Sequence, residues 1–151
     1  MIPRMQYFDA SYLIPLVKRE ASSERVQAFV ESIAHAQFVT SFWTTVEYRS
    51  GLAREVRMGL VSESRFEGYC RQLDELILGS FQLILPTEDD YWLAATMVGK
   101  PLSGLRSGDS LHLAIARRLD VERLLTLDRK LISIGIAHGI RAGMGFDQGP
   151  E

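Results

Sequence analysis

The order of segments in this chain predicts an α/β fold with a mainly parallel, helix-flanked sheet. Short apolar runs such as MQYF and QFVTS read as buried strands. They alternate with longer stretches whose apolar residues recur at helical spacing, such as SERVQAFVESI and SESRFEGYCRQLDELI. Asp9 and Asp128 each close an apolar run and open a helical one. In an open α/β sheet that is the edge where ligands gather.

Taken in order, MQYF is the first strand. A helix is expected from about Ser11 to Arg19, with Pro15 near its first turn. SERVQAFVESI places Val26, Phe29, Val30 and Ile33 on one face, with Ser22 or Ser23 as cap. After the strand QFVTS, a long helix runs from about Trp43 to Met58 and stops at Gly59. Its apolar stripe reads as Phe42, Val46, Ala53 and Val56, with Glu47 one step off and on a face with Trp43, Gly51 and Arg54. The next helix gathers Phe66, Tyr69, Cys70, Leu73, Leu76 and Ile77 on one side. FQLILP is a third strand, and TEDDYWLAATMVGK a helix with a Thr cap and acids in its first turn. PLSGLRSG is a loop leading into the helix DSLHLAIARRL. RLLTL is a fourth strand, RKLISIGIAHG a last helix and IRAGM a short final strand. One domain over residues 1–145 is expected, with 146–151 a loose tail.

The totals narrow the class. A hydrophobic fraction of 46% fills a real core, and no apolar run approaches the length of a membrane span. The start lacks the apolar stretch and cleavage site of a signal peptide, and the single cysteine, Cys70, excludes an internal disulfide. A cytoplasmic protein is the expectation. There is no glycine-rich nucleotide motif and no Cys/His zinc pattern. The net charge of −2 does not mark a nucleic-acid binder, but clustered acids lower the total while leaving a basic rim intact.

Four acids carry the candidate chemistry: Asp9, Glu47, Asp109 and Asp128. Asp9 and Asp128 also read as helix N-caps and Asp109 as a first-turn acid; taken singly, those are the commoner roles. Glu47 needs a partner, for which Arg54 or a metal qualifies. Gathered together, four carboxylates repel one another unless a cation sits between them, which is the logic of a Mg²⁺ or Mn²⁺ site. Ser11 and Thr126, two residues from Asp9 and Asp128, are candidates to orient those carboxylates. His112 reads as a packed histidine, with a general base as the alternative. Arg49, Arg54, Arg106, Arg129 and Lys130 each lie near an acid in sequence. Singly each is an ordinary solvated charge; as a set they would hold a polyanion.

Four segments together resemble the PIN-domain family, most closely its VapC-type toxins: YFDASYLIPL, TTVEYRSGLAR, LRSGDSLHLAIA and LLTLDRKL. They span nearly the whole chain in the family's order, the third being the most specific. Ser110 stands where alanine is commoner, and Tyr12 is bulkier than usual. The resemblance implies a PIN-like three-layer α/β/α sandwich and a Mg²⁺- or Mn²⁺-dependent endoribonuclease. It carries over Asp9, Glu47, Asp109 and Asp128 as the acidic site, with Asp9 and Asp109 as principal metal ligands. It also implies a cognate antitoxin, an RNA substrate, a homodimer and higher-order toxin–antitoxin assemblies. Two alternatives stand beside it. A catalytically inactive PIN-like module binding RNA or protein has no reason to keep four mutually repelling acids. A phosphoaspartate enzyme built on Asp9 usually carries a second Asp where this chain has Ser11.

Overall fold

The structure, a computed structural model, describes residues 4–146. Its sheet contains β1 (Met5–Phe8), β2 (Gln37–Ser41), β3 (Gln82–Ile84), β4 (Arg123–Leu125) and β5 (Ala142–Gly143). All pairings are parallel, in the order β3-β2-β1-β4-β5. The chain builds outward from β1 in one direction, then returns to β1's other side with β4. The topological switch therefore lies between β1 and β4, and a crevice opens beyond their carboxyl ends.

Seven helices surround this sheet among the described residues: α1 (Ala10–Leu13), α2 (Ser23–Ser32), α3 (Phe42–Arg57), α4 (Glu63–Ser80), α5 (Glu88–Val98), α6 (Ser107–Leu119) and α7 (Arg129–Ala137). Successive strand residues point to opposite faces, so Tyr7 and Leu124 join one core while Phe8 and Leu125 join the other. The first core takes Ala94, Leu113, Ile115 and Leu131 from α5, α6 and α7. The second takes Leu13, Val26, Tyr48, Leu52, Leu73 and Ile77 from α1 to α4. Two helical layers thus sandwich one sheet, the three-layer arrangement implied by the resemblance. No helix among the described residues is long and apolar enough to cross a membrane.

Several elements differ from their sequence-based prediction. The first helix ends at Leu13 rather than Arg19, and Ile14–Leu16 tighten into a 3₁₀ turn. Pro15 has no N–H to donate back along an α-helix, so the ladder stops there. Ser22 is the N-cap position of α2 but makes no side-chain capping bond, while Ser23 Oγ accepts the Glu20 N–H of the preceding turn. The apolar stripe of α3 is also different. Phe42 and Val46 are exposed, and the buried face is Thr44, Tyr48 and Leu52. Thr44 is buried with its hydroxyl hydrogen-bonded to Thr40 Oγ1, 2.9 Å away. α6 begins two residues early, at Ser107. Phe146 packs against the second core and receives the Arg25 guanidinium on its ring, so it is part of the fold; residues 147–151 of the expected tail lie outside the described residues.

Candidate active site

Asp9 follows β1 and caps α1. Its Oδ1 accepts the Ser11 hydroxyl at 2.7 Å and the Tyr12 N–H at 3.1 Å, and its Oδ2 accepts the Thr126 hydroxyl at 2.6 Å. Its own N–H bonds Leu125 O across the switch point. The carboxyl is almost fully buried, and burial raises its pKa to about 6. His112 and the Thr126 and Ser11 hydroxyls oppose this rise, while Glu47 adds to it.

Asp128 lies on the neighbouring strand's extension and caps α7. Its Oδ1 accepts the N–H groups of Lys130 and Leu131. Thr126 joins the two ends: its hydroxyl bonds Asp9 and accepts the Asp128 N–H at 3.1 Å. Ser11 does the same one step away, accepting the Leu127 N–H at 2.9 Å. The cap reading of Asp9 and Asp128 holds, and capping fixes both carboxylates where adjacent strands end.

Asp109 comes to the same edge in the first turn of α6. Arg106 bridges it to Asp128, with Nε 3.3 Å from Asp109 Oδ2 and Nη2 3.1 Å from Asp128 Oδ2. Burial raises the Asp109 pKa; Arg106 opposes this, and the charges of Asp128 and Glu47 reinforce it. Glu47 reaches in from α3. Of the two partners that the sequence offers Glu47, Arg54 or a metal, Arg54 is exposed, and the protein group on Glu47 Oε1 is His112 Nε2. Helical register accounts for this: Arg54 is two turns along the same helix, whereas His112 arrives from α6.

His112 is fully buried, with its Nδ1 2.7 Å from the Tyr7 hydroxyl. Burial alone would lower the pKa of this imidazole, but Tyr7, Glu47 and Asp9 reverse the effect and hold it well above its usual value. The polar chain continues inward, as Tyr7 donates to Ser41 Oγ at 2.9 Å and Ser41 lies 3.3 Å from Thr44 Oγ1. Sequence reading missed Tyr7, Ser41 and Thr44. Their only signal is polar residues at positions that a buried strand and helix face must cover.

Between α3 and the start of α6 lies a pocket of about 310 Å³, lined by Trp43, Glu47, Ser50, Arg106, Gly108 and Asp109. Gly108 is needed for this approach. A Cβ there would lie 2.8 Å from Glu47 Oε2 and 3.1 Å from the Trp43 ring. Trp43 packs against the first core, and its buried Nε1 has no hydrogen-bond partner among the described residues.

The basic candidates separate. Arg106 is in the site. Arg49 belongs to a structural network instead: it pairs with Asp74 of α4, which also accepts the Tyr48 hydroxyl. Arg54, Arg129 and Lys130 are exposed, and the Lys130 ammonium lies over Gly104.

The donor set offered to a metal is all oxygen, and buried carboxylates with raised pKa values gain from a cation, so the chemistry suits Mg²⁺ or Mn²⁺. Among the described residues, however, no three Asp, Glu, His or Cys side chains are gathered into a ready metal cage. Protein groups already engage these acids: His112 on Glu47, Arg106 on Asp109 and Asp128, and hydroxyls on Asp9.

These features define a parallel α/β protein with an acidic crevice at the switch point of its sheet. The chain belongs to the PIN domain family, whose model matches residues 7–137. Its fold is similar to that of VapC20 from Mycobacterium tuberculosis, described as a sarcin–ricin loop cleaving toxin. That match has a TM-score of 0.71 at 14% identity and covers 86% of this chain and 95% of that one. FitAcB from Neisseria gonorrhoeae matches with a TM-score of 0.65 at 18% identity, covering 91% and 96%. VapBC-1 from nontypeable Haemophilus influenzae matches at 0.65 and 17%, covering 93% and 98%. At these identities the likeness is one of fold. No curated protein sequence matches significantly.

Proposed function

We propose that this PIN-domain protein is a VapC-type toxin: a Mg²⁺- or Mn²⁺-dependent endoribonuclease that works in the cytoplasm as a homodimer and is restrained by a cognate antitoxin. What supports this reading is that Asp9, Glu47, Asp109 and Asp128 come from four separate segments and interact electrostatically, Glu47 with both Asp9 and Asp109, and Asp128 with Asp109. Two of these carboxyls, those of Asp9 and Asp109, are held above their ordinary pKa. A fold gains no stability from crowding acids, so their gathering supports a ligand-binding purpose. The fold neighbours among VapC, VapBC and Fit proteins support the toxin assignment.

In this reading Asp9 and Asp109 would hold the ion, with Glu47 and Asp128 beside them. When bound, the ion supplies Lewis-acid polarisation of the scissile phosphate and a more acidic attacking water. Ser11 and Thr126 fix the Asp9 carboxylate in one orientation. Glu47 Oε2, the oxygen that His112 leaves free, accepts a hydrogen bond from the attacking water. Arg106 turns from the acids to the phosphate, and the exposed Arg54, Arg129 and Lys130 hold flanking phosphates.

The competing reading is an inactive module that binds RNA or protein. It is favoured by the absence of a ready metal cage among the described residues. One experiment decides between them. Purified protein is incubated with structured RNA in chelator, then with Mg²⁺ or Mn²⁺ restored, beside Asp109→Asn. Cleavage that requires the ion and Asp109 supports the toxin reading. Persistent cleavage in excess chelator refutes the metal mechanism, and RNA binding without cleavage under any condition favours the inactive module.

A further inference from the structure

His112 stands one turn beyond Asp109, and its ring lies behind Glu47 rather than beside it. It is completely buried, so no substrate atom can touch it. An ordinary core histidine satisfies its nitrogens on backbone or water and leaves the functional groups alone. Here both ring nitrogens are committed to a line that ends in the site. Nε2 holds Glu47 Oε1, and Nδ1 is 2.7 Å from the Tyr7 hydroxyl. The Tyr7 ring also meets the imidazole edge-on, with centroids 5.5 Å apart, and Tyr7 is anchored in turn by Ser41. The tilt of the imidazole is therefore set from β1 and β2.

The consequence falls on Glu47. A glutamate on a helix has several rotatable bonds, and this one is still 22% exposed at its side chain, so it has open space to swing into. Holding Oε1 from behind removes that freedom. Oε2 is left facing Gly108, where the missing side chain keeps the approach open. One oxygen belongs to the scaffold and the other to the reaction.

We propose that His112 is a positioning residue that acts through Glu47, with Tyr7 fixing the imidazole. This rests on the nuclease reading of the acids above. The role is distinct from general base catalysis, which burial denies it, and from packing, which needs no link to Glu47.

The test is a double-mutant cycle on the intact protein with His112→Ala, His112→Gln, Tyr7→Phe and Glu47→Gln, read by RNA cleavage, by Mn²⁺ affinity from calorimetry and by melting temperature. Loss of a side chain that orients a site ligand typically costs about 10–100-fold in activity or metal affinity. His112→Ala should lower kcat by roughly that factor and leave KM for RNA nearly unchanged. His112→Gln, whose amide N–H can still reach Glu47, should recover part of the loss. In the Glu47→Gln background His112→Ala should add little to the loss of either cleavage or Mn²⁺ affinity, because its target is already gone. Effects that multiply in the double variant would overturn the inference, as would a fall in KM and kcat that tracks melting temperature. If His112→Ala does not fold, Tyr7→Phe and His112→Gln carry the same cycle. A wild-type protein that binds Mn²⁺ but cleaves no RNA overturns the nuclease reading, and the Mn²⁺ cycle then decides the inference alone. A wild-type protein that neither cleaves RNA nor binds Mn²⁺ overturns both.

Discussion

Asp9→Asn best separates a site carboxylate from a helix cap. In the wild-type protein this carboxyl is 5% exposed, and burial lifts its pKa from 3.8 to about 6. A raised carboxyl pKa means that the folded protein holds the proton more tightly than the unfolded chain. As pH rises through the window from 3.8 to about 6, the unfolded chain ionises first and stability falls. Above the window the folded protein carries a fixed penalty of about 3 kcal/mol, taking about 1.4 kcal/mol for each pH unit. Asparagine carries no charge at any pH. Its amide oxygen keeps the bonds from Ser11 and Tyr12, and it caps a helix about as well as aspartate. Its amide N–H meets Thr126, whose hydroxyl turns from donor to acceptor. In chelator at pH 7.5 the D9N protein should therefore be more stable than wild type by up to about 3 kcal/mol, or roughly 6–12 °C for a chain of this size. At pH 4.5 the gap should shrink to about 1 kcal/mol. His112, whose folded pKa is raised, also loses its stabilising contribution as pH rises, but it is present in both proteins and the difference isolates Asp9. Thermal and urea melts at the two pH values measure this, and Mn²⁺ should then stabilise wild type alone. A D9N protein less stable than wild type at pH 7.5 in chelator, or a gap that ignores pH, refutes the argument and leaves Asp9 as a structural cap.

The geometry gives four further outcomes. Gly108→Ala should cost roughly 1–3 kcal/mol by overpacking and should reduce cleavage by about 100-fold, because the new Cβ displaces Glu47; unchanged kinetics would show that Glu47 need not sit there. Arg54→Ala should weaken RNA binding and flatten its salt slope by about one at unchanged melting temperature. Arg49→Ala should do the reverse, lowering stability by roughly 1 kcal/mol through the Asp74 pair with the slope intact. Arg118→Ala should cost roughly 1.5–3 kcal/mol in urea unfolding, because Asp90, only 2% exposed, loses the Arg118 Nε–H that its two oxygens share at 2.9 and 3.0 Å.

Strand positions were legible because MQYF and QFVTS are short segments of aromatic and β-branched residues bounded by turn or helix starters. The placement of Asp9 and Asp128 was legible for a related reason. Asp9 and Asp128 sit where strands give way to helices, and adjacent strand ends in a parallel sheet lie side by side. What stayed hidden was pairing between distant segments. Arg49 looks like a rim cation because its partner, Asp74, is on another helix. His112 looks like packing because nothing local shows that Glu47 and Tyr7 close on its two nitrogens. The α3 stripe was misassigned because a threonine satisfied by another threonine behaves as core, whereas Phe42 and Val46 face outward for no reason that periodicity contains.

The hydrogen bond between Thr126 and Asp9 joins residues 117 positions apart. β4 docks on β1 only after the intervening helices and strands have been made, and such non-local pairing is the slow part of folding. During synthesis the first strand therefore waits, its carboxylate without the hydroxyl that aims it and without the neighbouring cap at Asp128. A growing chain that has not yet yielded Thr126 has an incomplete acid cluster, whatever ions surround it. The residues that surround Asp9 are thus completed only when β4, late in the chain, pairs with β1.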